Sequence, residues 1–150
     1  MNIAQNLQNI KDTLPNNVHL VAVSKTKPVA DLLQAYNAGQ RIFGENKIQE
    51  MTEKWEQMPK DIQWHMIGHV QTNKVKYMAP YVSLIHGVDS LKLLVEINRQ
   101  AKKWRRVIPC LLQVYIATEE SKFGLAHDEL LQLIHSEEFK SLENIKIIGL

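Results

Sequence analysis

The chain has 150 residues, of which 45% are hydrophobic and 23% charged, so it can bury a core and does not belong to the disordered class. Its net charge of +2, counted with neutral histidines, is too small to imply a nucleic-acid or membrane partner by itself. The single cysteine excludes an intrachain disulfide and fits a cytoplasmic protein, and we expect neither secretion nor membrane insertion because no basic leader or long apolar window is present.

The first predicted strand lies at residues 18–23, a nearly unbroken apolar run rich in β-branched side chains. Such a run is typical of a strand covered on both faces in a parallel sheet. Pro28 suits the first turn of the helix that follows, and apolar residues at helical spacing run from Val29 to Tyr36. Gly39 is placed to end this helix. These residues therefore form one βα unit.

The same alternation continues to the last residue. Further strands are predicted in the segments RIFGEN, IQWHMIG, YVSLIHGV, VIPCLLQVYI and NIKIIGL. Helices are predicted between them, including a short polar one near QTNKVKYM, one capped at Ser90 and one at HDELLQLIHS. Six alternating strands predict an α/β fold, either an open doubly wound sheet or a (β/α)8 barrel. No linker-like segment interrupts residues 1–150, so we expect a single domain.

Polar residues collect where the predicted strands end. They are Ser24 and Lys25, Glu45 and Asn46, Gly68 and His69, and Gly87 and Asp89. In both candidate folds, ligands bind at the carboxyl ends of the parallel strands. The sequence therefore predicts a site at this end of the sheet.

The familiar nucleotide and metal motifs are missing. No G-x-G-x-x-G follows the first strand, and VAVSKTK lacks the glycines of a phosphate-binding loop. His65 and His69 fall on a strand and the loop after it, so we expect no metal site. His65 alone is either a hydrogen-bonded core histidine or a residue with a chemical role. Cys110, in an apolar strand, is predicted to be a small buried side chain without chemistry.

The segment KKWRR, residues 102–106, is the one dense basic cluster. Its tryptophan offers a surface on which an RNA base could stack. The alternative is a helix end whose cations complement the helix dipole before the next strand begins. We expect the helix end, and no nucleic-acid partner.

Lys25 allows two interpretations from the residues alone. Val21, Val23 and Lys25 share one face of the first strand, whereas Lys27 lies past the strand next to Pro28. A lysine kept from water at such a strand end loses part of its preference for the charged form and becomes a nucleophile toward aldehydes, of which pyridoxal 5′-phosphate (PLP) is the commonest cofactor. The alternative is a lysine whose ammonium reaches out to solvent.

The segments VAVSKTKP, FGENKIQE, WHMIGHVQTNK and ATEESKFGL occur in this order and spacing. With them, the sequence resembles the pyridoxal phosphate homeostasis protein family, which is related to the N-terminal barrel of alanine racemase. The resemblance runs from about residue 7 to the last residue. It implies a (β/α)8 barrel that binds, buffers or delivers PLP, without catalytic turnover, and that has apo PLP-dependent enzymes as partners.

The resemblance also implies which residues contact the cofactor. Lys25 corresponds to the lysine that forms a Schiff base with PLP, and Asn46 to a residue near the ring and its phenolic oxygen. His65 and Gly68 correspond to a looser lining of the same pocket. Lys122 takes a place like that of an arginine near the cofactor oxygen in the racemase relatives.

The resemblance has one departure. Family members continue with two further βα units that carry an SMGMS-like loop and an R-x-G segment for the phosphate and the ring nitrogen, and neither motif occurs here. We therefore expect a truncated barrel with about six of eight βα units, whose exposed strand edges pair two chains in a homodimer. The alternative function is a PLP-dependent racemase or decarboxylase of the alanine racemase type, which needs a second proton-transfer residue opposite the lysine.

Overall fold

The computed structural model describes residues 2–118 and 123–150. These residues contain one six-stranded sheet, in which the strands follow one another in chain order and every neighbouring pair is parallel. The strands are β1 (Ala22–Val23), β2 (Ile42–Glu45), β3 (Gln63–Met66), β4 (Leu84–Val88), β5 (Ile108–Leu112) and β6 (Ile145–Gly149). The predicted alternation of strands and helices in a parallel sheet is confirmed.

Helices connect the strands. They are α1 (Ile3–Lys11), α2 (Val29–Asn37), α3 (Ile48–Gln57), α4 (Val75–Met78), α5 (Leu91–Lys103), α6 (His127–His135) and α7 (Glu137–Lys140), with a 3₁₀ turn at Thr72–Lys74 before α4. Two of them, α1 and α7, have no counterpart among the predicted helices. α1 buries only Leu7 and α7 buries no residue, so neither has a strong apolar stripe. None of the helices in the described ranges is long and apolar enough to cross a bilayer.

Strand β1 is shorter than the apolar run that predicts it. Its register pairs Ala22 with Phe43, so β2, which begins at Ile42, offers no partner to the residues before Val21. The Leu20 carbonyl instead accepts a hydrogen bond from the side-chain amide of Gln40 at 2.8 Å. The run therefore continues as extended chain outside the ladder.

The two faces of the sheet differ. The helices cover one face, where the largest fully buried apolar strand side chains are Phe43, Trp64, Met66, Ile85, Ile108 and Leu112. Cys110 lies on this face, fully buried, and burial raises the pKa of its thiol to about 12, as the prediction of an inert core residue requires. On the other face, Val21 and Ile67 lie on either side of Gly44, and Val23 is 55% exposed. This second face is open.

The basic segment KKWRR ends helix α5, as predicted. Trp104 is the C-cap residue and Arg105 has a φ of 53°, so the chain leaves the helix there. Arg106 then donates hydrogen bonds to the Ala79 carbonyl at 2.6 Å and the Val82 carbonyl at 2.7 Å, after α4. Its guanidinium therefore holds the connection between α4 and β4 in place.

Candidate functional site

The ends of β1 and β2 form the first part of the site. Val23 pairs with Gly44, and the Ser24 N–H donates to the Gly44 carbonyl oxygen at 2.9 Å. Two residues further along the chain, Lys25 and Asn46 follow these strands, with Lys25 in the turn after β1.

The ends of β2, β3 and β4 touch through their backbones. A Cβ atom added to Gly68 would lie 2.5 Å from the Asn46 carbonyl oxygen, and one added to Gly87 would lie 2.8 Å from the Gly68 carbonyl oxygen. The same atom on Gly87 would lie 3.3 Å from the side-chain oxygen of Gln113, which follows β5. Glycine is therefore required at both positions for the strand ends to approach this closely.

Lys25 and Lys27 lie in different surroundings. Lys25 is exposed in the turn after β1, as in the second of the two interpretations, in which its ammonium reaches out to solvent. Lys27 instead lines a groove on the helix side of the sheet, together with Ile3 of α1 and Leu32 of α2. The assignment of the cofactor lysine to Lys25 rather than Lys27 stays a prediction.

A buried lysine lies beneath the end of β1. Lys54 of α3 has a side chain only 7% exposed, and its Nζ donates to the Ser24 carbonyl at 2.7 Å, to Glu45 Oε2 at 2.9 Å and to Glu50 Oε2 at 2.8 Å. The Ser24 hydroxyl donates to the same oxygen of Glu45. All three ammonium protons of Lys54 are therefore used, as a buried charge requires.

The two carboxylates of this cluster differ in their electrostatics. Burial raises the pKa of Glu45, although hydrogen bonds from Ser24 and Lys54 favour its ionised form. The hydrogen bond from Lys54 lowers the pKa of the partly exposed Glu50, which also accepts from the Thr26 N–H at 2.7 Å. Glu50 is therefore held as a carboxylate at the turn that follows Lys25.

His65 lies lower on the open face. It pairs in register with Gly44, and its Nδ1 is 3.0 Å from Nε2 of His86 on β4. Burial, with smaller contributions from His86 and His19, lowers the pKa of His65 to about 4, and burial also lowers the pKa of His86. Both rings are therefore neutral near pH 7, with one donating to the other.

The predicted site residues thus separate into three groups. Lys25, Asn46 and Gly68 follow the ends of β1, β2 and β3, which we call the rim, and of these Asn46 and Gly68 contact each other through their backbones. His65 precedes Gly68 by three residues, or about 10 Å of extended chain, and contacts His86 rather than the rim. Lys122 lies outside the described residues.

A cavity extends from the rim between β2 and β3. It is lined by Asn46 and Gly68 together with His69 and Lys74. The His69 ring stacks on Phe123 at 3.8 Å between centroids, and its Nδ1 lies 3.9 Å from Asp89. Polar and cationic groups therefore surround the exposed side of Asn46.

Sequence reasoning missed the Lys54 cluster and the second histidine. Lys54 interrupts the apolar stripe of α3, since it lies three residues after the buried Met51 and four before the buried Met58. A charged residue on a buried helical stripe is a signal of a buried ion pair. Its contact with the Ser24 carbonyl could not be found in this way, because Ser24 is 30 residues away in the sequence.

A parallel sheet with helices on one face and polar residues at its carboxyl ends is the architecture of (β/α)-barrel proteins. The described residues contribute six strands, whereas a closed barrel of this kind has eight. The class defined by the fold is therefore that of the (β/α)-barrel proteins, in which ligands bind at the carboxyl ends of the strands.

The chain belongs to the family of the alanine racemase N-terminal domain, whose model matches residues 1–150, and within it to the pyridoxal phosphate homeostasis proteins. It is 40% identical to the pyridoxal phosphate homeostasis protein of Synechocystis over 140 residues, which are 92% of this chain and 63% of that protein. It is 37% identical to that of Pasteurella multocida over 158 residues, covering 99% of this chain and 67% of that protein. The chain thus spans about two thirds of the length of these relatives.

Solved structures give the same result. PipY of Synechococcus elongatus without PLP superposes with a TM-score of 0.91 at 35% identity, covering 99% of this chain and 69% of PipY. PipY with PLP bound superposes with a TM-score of 0.89. Alanine racemase of Clostridium difficile, at 17% identity and a TM-score of 0.77, shares the fold alone.

Proposed function

We propose that this protein binds PLP covalently through Lys25 and serves intracellular PLP homeostasis as a binding, buffering or delivery protein. The observation that carries the proposal is the position of Lys25, an exposed residue in the turn that follows β1, beside the paired strand β2 that Asn46 follows. The family membership and the PLP-bound structure of PipY support it.

The residues of the rim fit an aldehyde cofactor. PLP supplies an aldehyde that condenses with a lysine amine to form a Schiff base. Lys25 provides the amine, and the half-exposed amide of Asn46 provides a hydrogen-bonding group on the adjacent strand. Gly68 packs against the Asn46 backbone and so fixes the position of the backbone from which the Asn46 side chain extends. His65 and His86 lie on β3 and β4, further from the strand ends. In the proposal they line the open face of the sheet below the cofactor and do not contact the reacting atoms.

The proposal assigns no catalytic turnover to the protein. A racemase or decarboxylase needs a second group that transfers a proton opposite the lysine. Incubation with D- and L-alanine in the presence of PLP, followed by chiral separation, is expected to show no conversion beyond that of a Lys25→Ala variant. Conversion that depends on Lys25 would replace the binding proposal with the racemase one.

Three finer predictions accompany this function. The first is that apo PLP-dependent enzymes receive the cofactor from this protein. Transfer is measured as the activity that such an enzyme regains when it is mixed with the PLP-loaded protein. The protein acts in the cytoplasm, which localisation of a tagged chain tests. Two chains associate through the edges at β1 and β6, which have no second strand neighbour in the described ranges; a purely monomeric species in sedimentation at high concentration argues against this.

Absorbance titration with PLP tests the proposed function. We expect a saturable spectral change with the wild type and with Lys27→Ala, and no such change with Lys25→Ala, because only Lys25 lies at the rim. Lys27→Ala is the matched control, since it removes another exposed lysine two residues away. Loss of the change in Lys27→Ala with retention in Lys25→Ala would contradict the assignment.

A further inference from the structure

The chain on both sides of Lys25 is tied to one buried cluster. On the amino-terminal side, the Ser24 carbonyl accepts from Lys54 Nζ at 2.7 Å. On the carboxyl-terminal side, the Thr26 N–H donates to Glu50 Oε2 at 2.7 Å, and that oxygen accepts from the same Lys54 Nζ at 2.8 Å. Lys25 therefore lies between the Ser24 carbonyl and the Thr26 N–H. The Lys54 ammonium binds the first directly and the second through Glu50.

The turn at Lys25 needs this support. Thr26 has a φ of 64°, in the left-handed region that β-branched residues rarely adopt. Its hydroxyl donates to the Lys25 carbonyl at 2.6 Å, and its N–H is held by Glu50. Unfavourable backbone conformations of this kind persist where surrounding contacts fix them, and they are common at functional sites. The hydrogen bond from Thr26 to Glu50 thus stabilises the backbone direction from which the Lys25 side chain leaves.

Stability alone is a poor reason for the cluster. A buried ion pair loses much of its Coulombic gain to desolvation, and apolar residues of similar volume often serve as well. Here Lys54 occupies a position on the buried stripe of α3 where an apolar residue is usual, and its partner Glu45 is fully buried. What the ion pair provides, and an apolar side chain does not, is directional contact with the backbone around Lys25.

We propose that Lys54 and Glu50 are positioning residues for Lys25, which orient its amine for covalent capture of PLP. This inference rests on the proposed function. Neither residue needs to touch the cofactor, because both act through the backbone of Ser24 and Thr26. Displacement of a reacting group by about 1 Å slows positioned reactions by up to about 100-fold, so even a small relaxation of this turn is measurable.

Glu50 offers the sharper test, since its side chain is 26% exposed and its removal leaves the buried Lys54–Glu45 pair intact. Glu50→Ala removes the acceptor for the Thr26 N–H, whereas Glu50→Gln keeps an oxygen at that position. Glu56→Ala is the matched control, because it removes an exposed carboxylate from the same helix. Lys54→Met removes the ammonium group itself.

The measurement is the rate of PLP capture by the full chain, followed by absorbance and confirmed by borohydride trapping with peptide mass analysis. We expect capture to be about tenfold slower in Glu50→Ala and in Lys54→Met, within threefold of wild type in Glu50→Gln, and unchanged in Glu56→Ala. Thermal unfolding without PLP shows that each variant is folded, and the rate is taken per folded protein. Rescue by glutamine separates positioning from a loss of stability.

The outcomes distinguish this inference from the function on which it rests. If the wild type forms no adduct on Lys25, both fall together. If the wild type forms the adduct and folded Glu50→Ala and Lys54→Met capture PLP at the wild-type rate, only the positioning role is wrong. Equal slowing in Glu50→Ala and Glu50→Gln also overturns it, because the retained oxygen would then make no difference.

Discussion

Replacement of Gly68 by alanine tests the close packing of the rim. The added Cβ atom would lie 2.5 Å from the Asn46 carbonyl oxygen and 2.8 Å from the Asn46 Cα atom. An ordinary carbon–oxygen contact is about 3.3 Å or longer, so the contact is too short by about 1 Å. Both opposing atoms belong to the backbone, and no side-chain rotation relieves the clash. One of the two strand ends must therefore move.

The size of the effect follows from this displacement. Forcing an extra methyl group into a packed site destabilises proteins by about 1 to 3 kcal/mol. We expect Gly68→Ala to lower the free energy of unfolding by about 2 kcal/mol, in the middle of this range. Because the displaced atoms belong to Asn46, the affinity for PLP is expected to fall by about tenfold, which corresponds to about 1.4 kcal/mol.

Denaturant unfolding and PLP titration of the same preparations measure both effects. Gly149→Ala is the control, since the Cβ atom added there meets only the Leu111 side chain, at 3.4 Å, an ordinary contact. Its stability is expected to stay within about 0.5 kcal/mol of wild type. Gly68→Ala with wild-type stability and wild-type PLP affinity would refute the reasoning, because Asn46 would then not depend on this contact.

Three further predictions concern residues away from the rim. Burial lowers the pKa of His65 to about 4, so between pH 4 and pH 6.5 the unfolded chain binds a proton at this residue that the folded chain does not. The free energy of unfolding of the wild type should therefore rise over this range by about 2 to 3 kcal/mol more than that of His65→Asn, and equal pH dependence of the two proteins in denaturant unfolding would contradict this. Cys110 should resist iodoacetamide near pH 8 in the folded protein and react after unfolding in urea, because burial raises the pKa of its thiol; rapid labelling of the folded chain would contradict its burial. Arg106→Met should lower the free energy of unfolding in urea by about 2 kcal/mol, since two backbone carbonyls lose their charged donor. The affinity for PLP should stay unchanged, and a large loss of affinity would show that the α4–β4 connection affects the site.

The elements that could be predicted are those whose signals are local. Helix α5 is an example, because Ser90 accepts from the Leu93 N–H at 3.1 Å and the apolar residues that follow are spaced for one buried face. The apolar run at residues 18–23 predicts a longer strand than β1. The length of a paired strand depends on its neighbour, and β2 begins only at Ile42. The hydrophobic pattern of one segment gives no information about where the neighbouring strand begins.

The candidate site shows the same division. Lys25 could be singled out because a lysine that ends a buried apolar run is visible in the sequence. Its supporting contacts were not visible, since Lys54 meets Ser24 across 30 positions and only when α3 packs beneath β1. The pairing of His65 with His86 likewise depends on the register of β3 against β4. Interactions that the fold assembles from distant segments could not be predicted from local pattern.

The most direct test of the central claim is the site of covalent attachment. The full chain is incubated with PLP, reduced with borohydride, digested and analysed by peptide mass spectrometry. The account predicts one major pyridoxyl adduct, on Lys25, which is absent from the Lys25→Ala variant. An adduct confined to Lys27, or no adduct on any lysine, would contradict it.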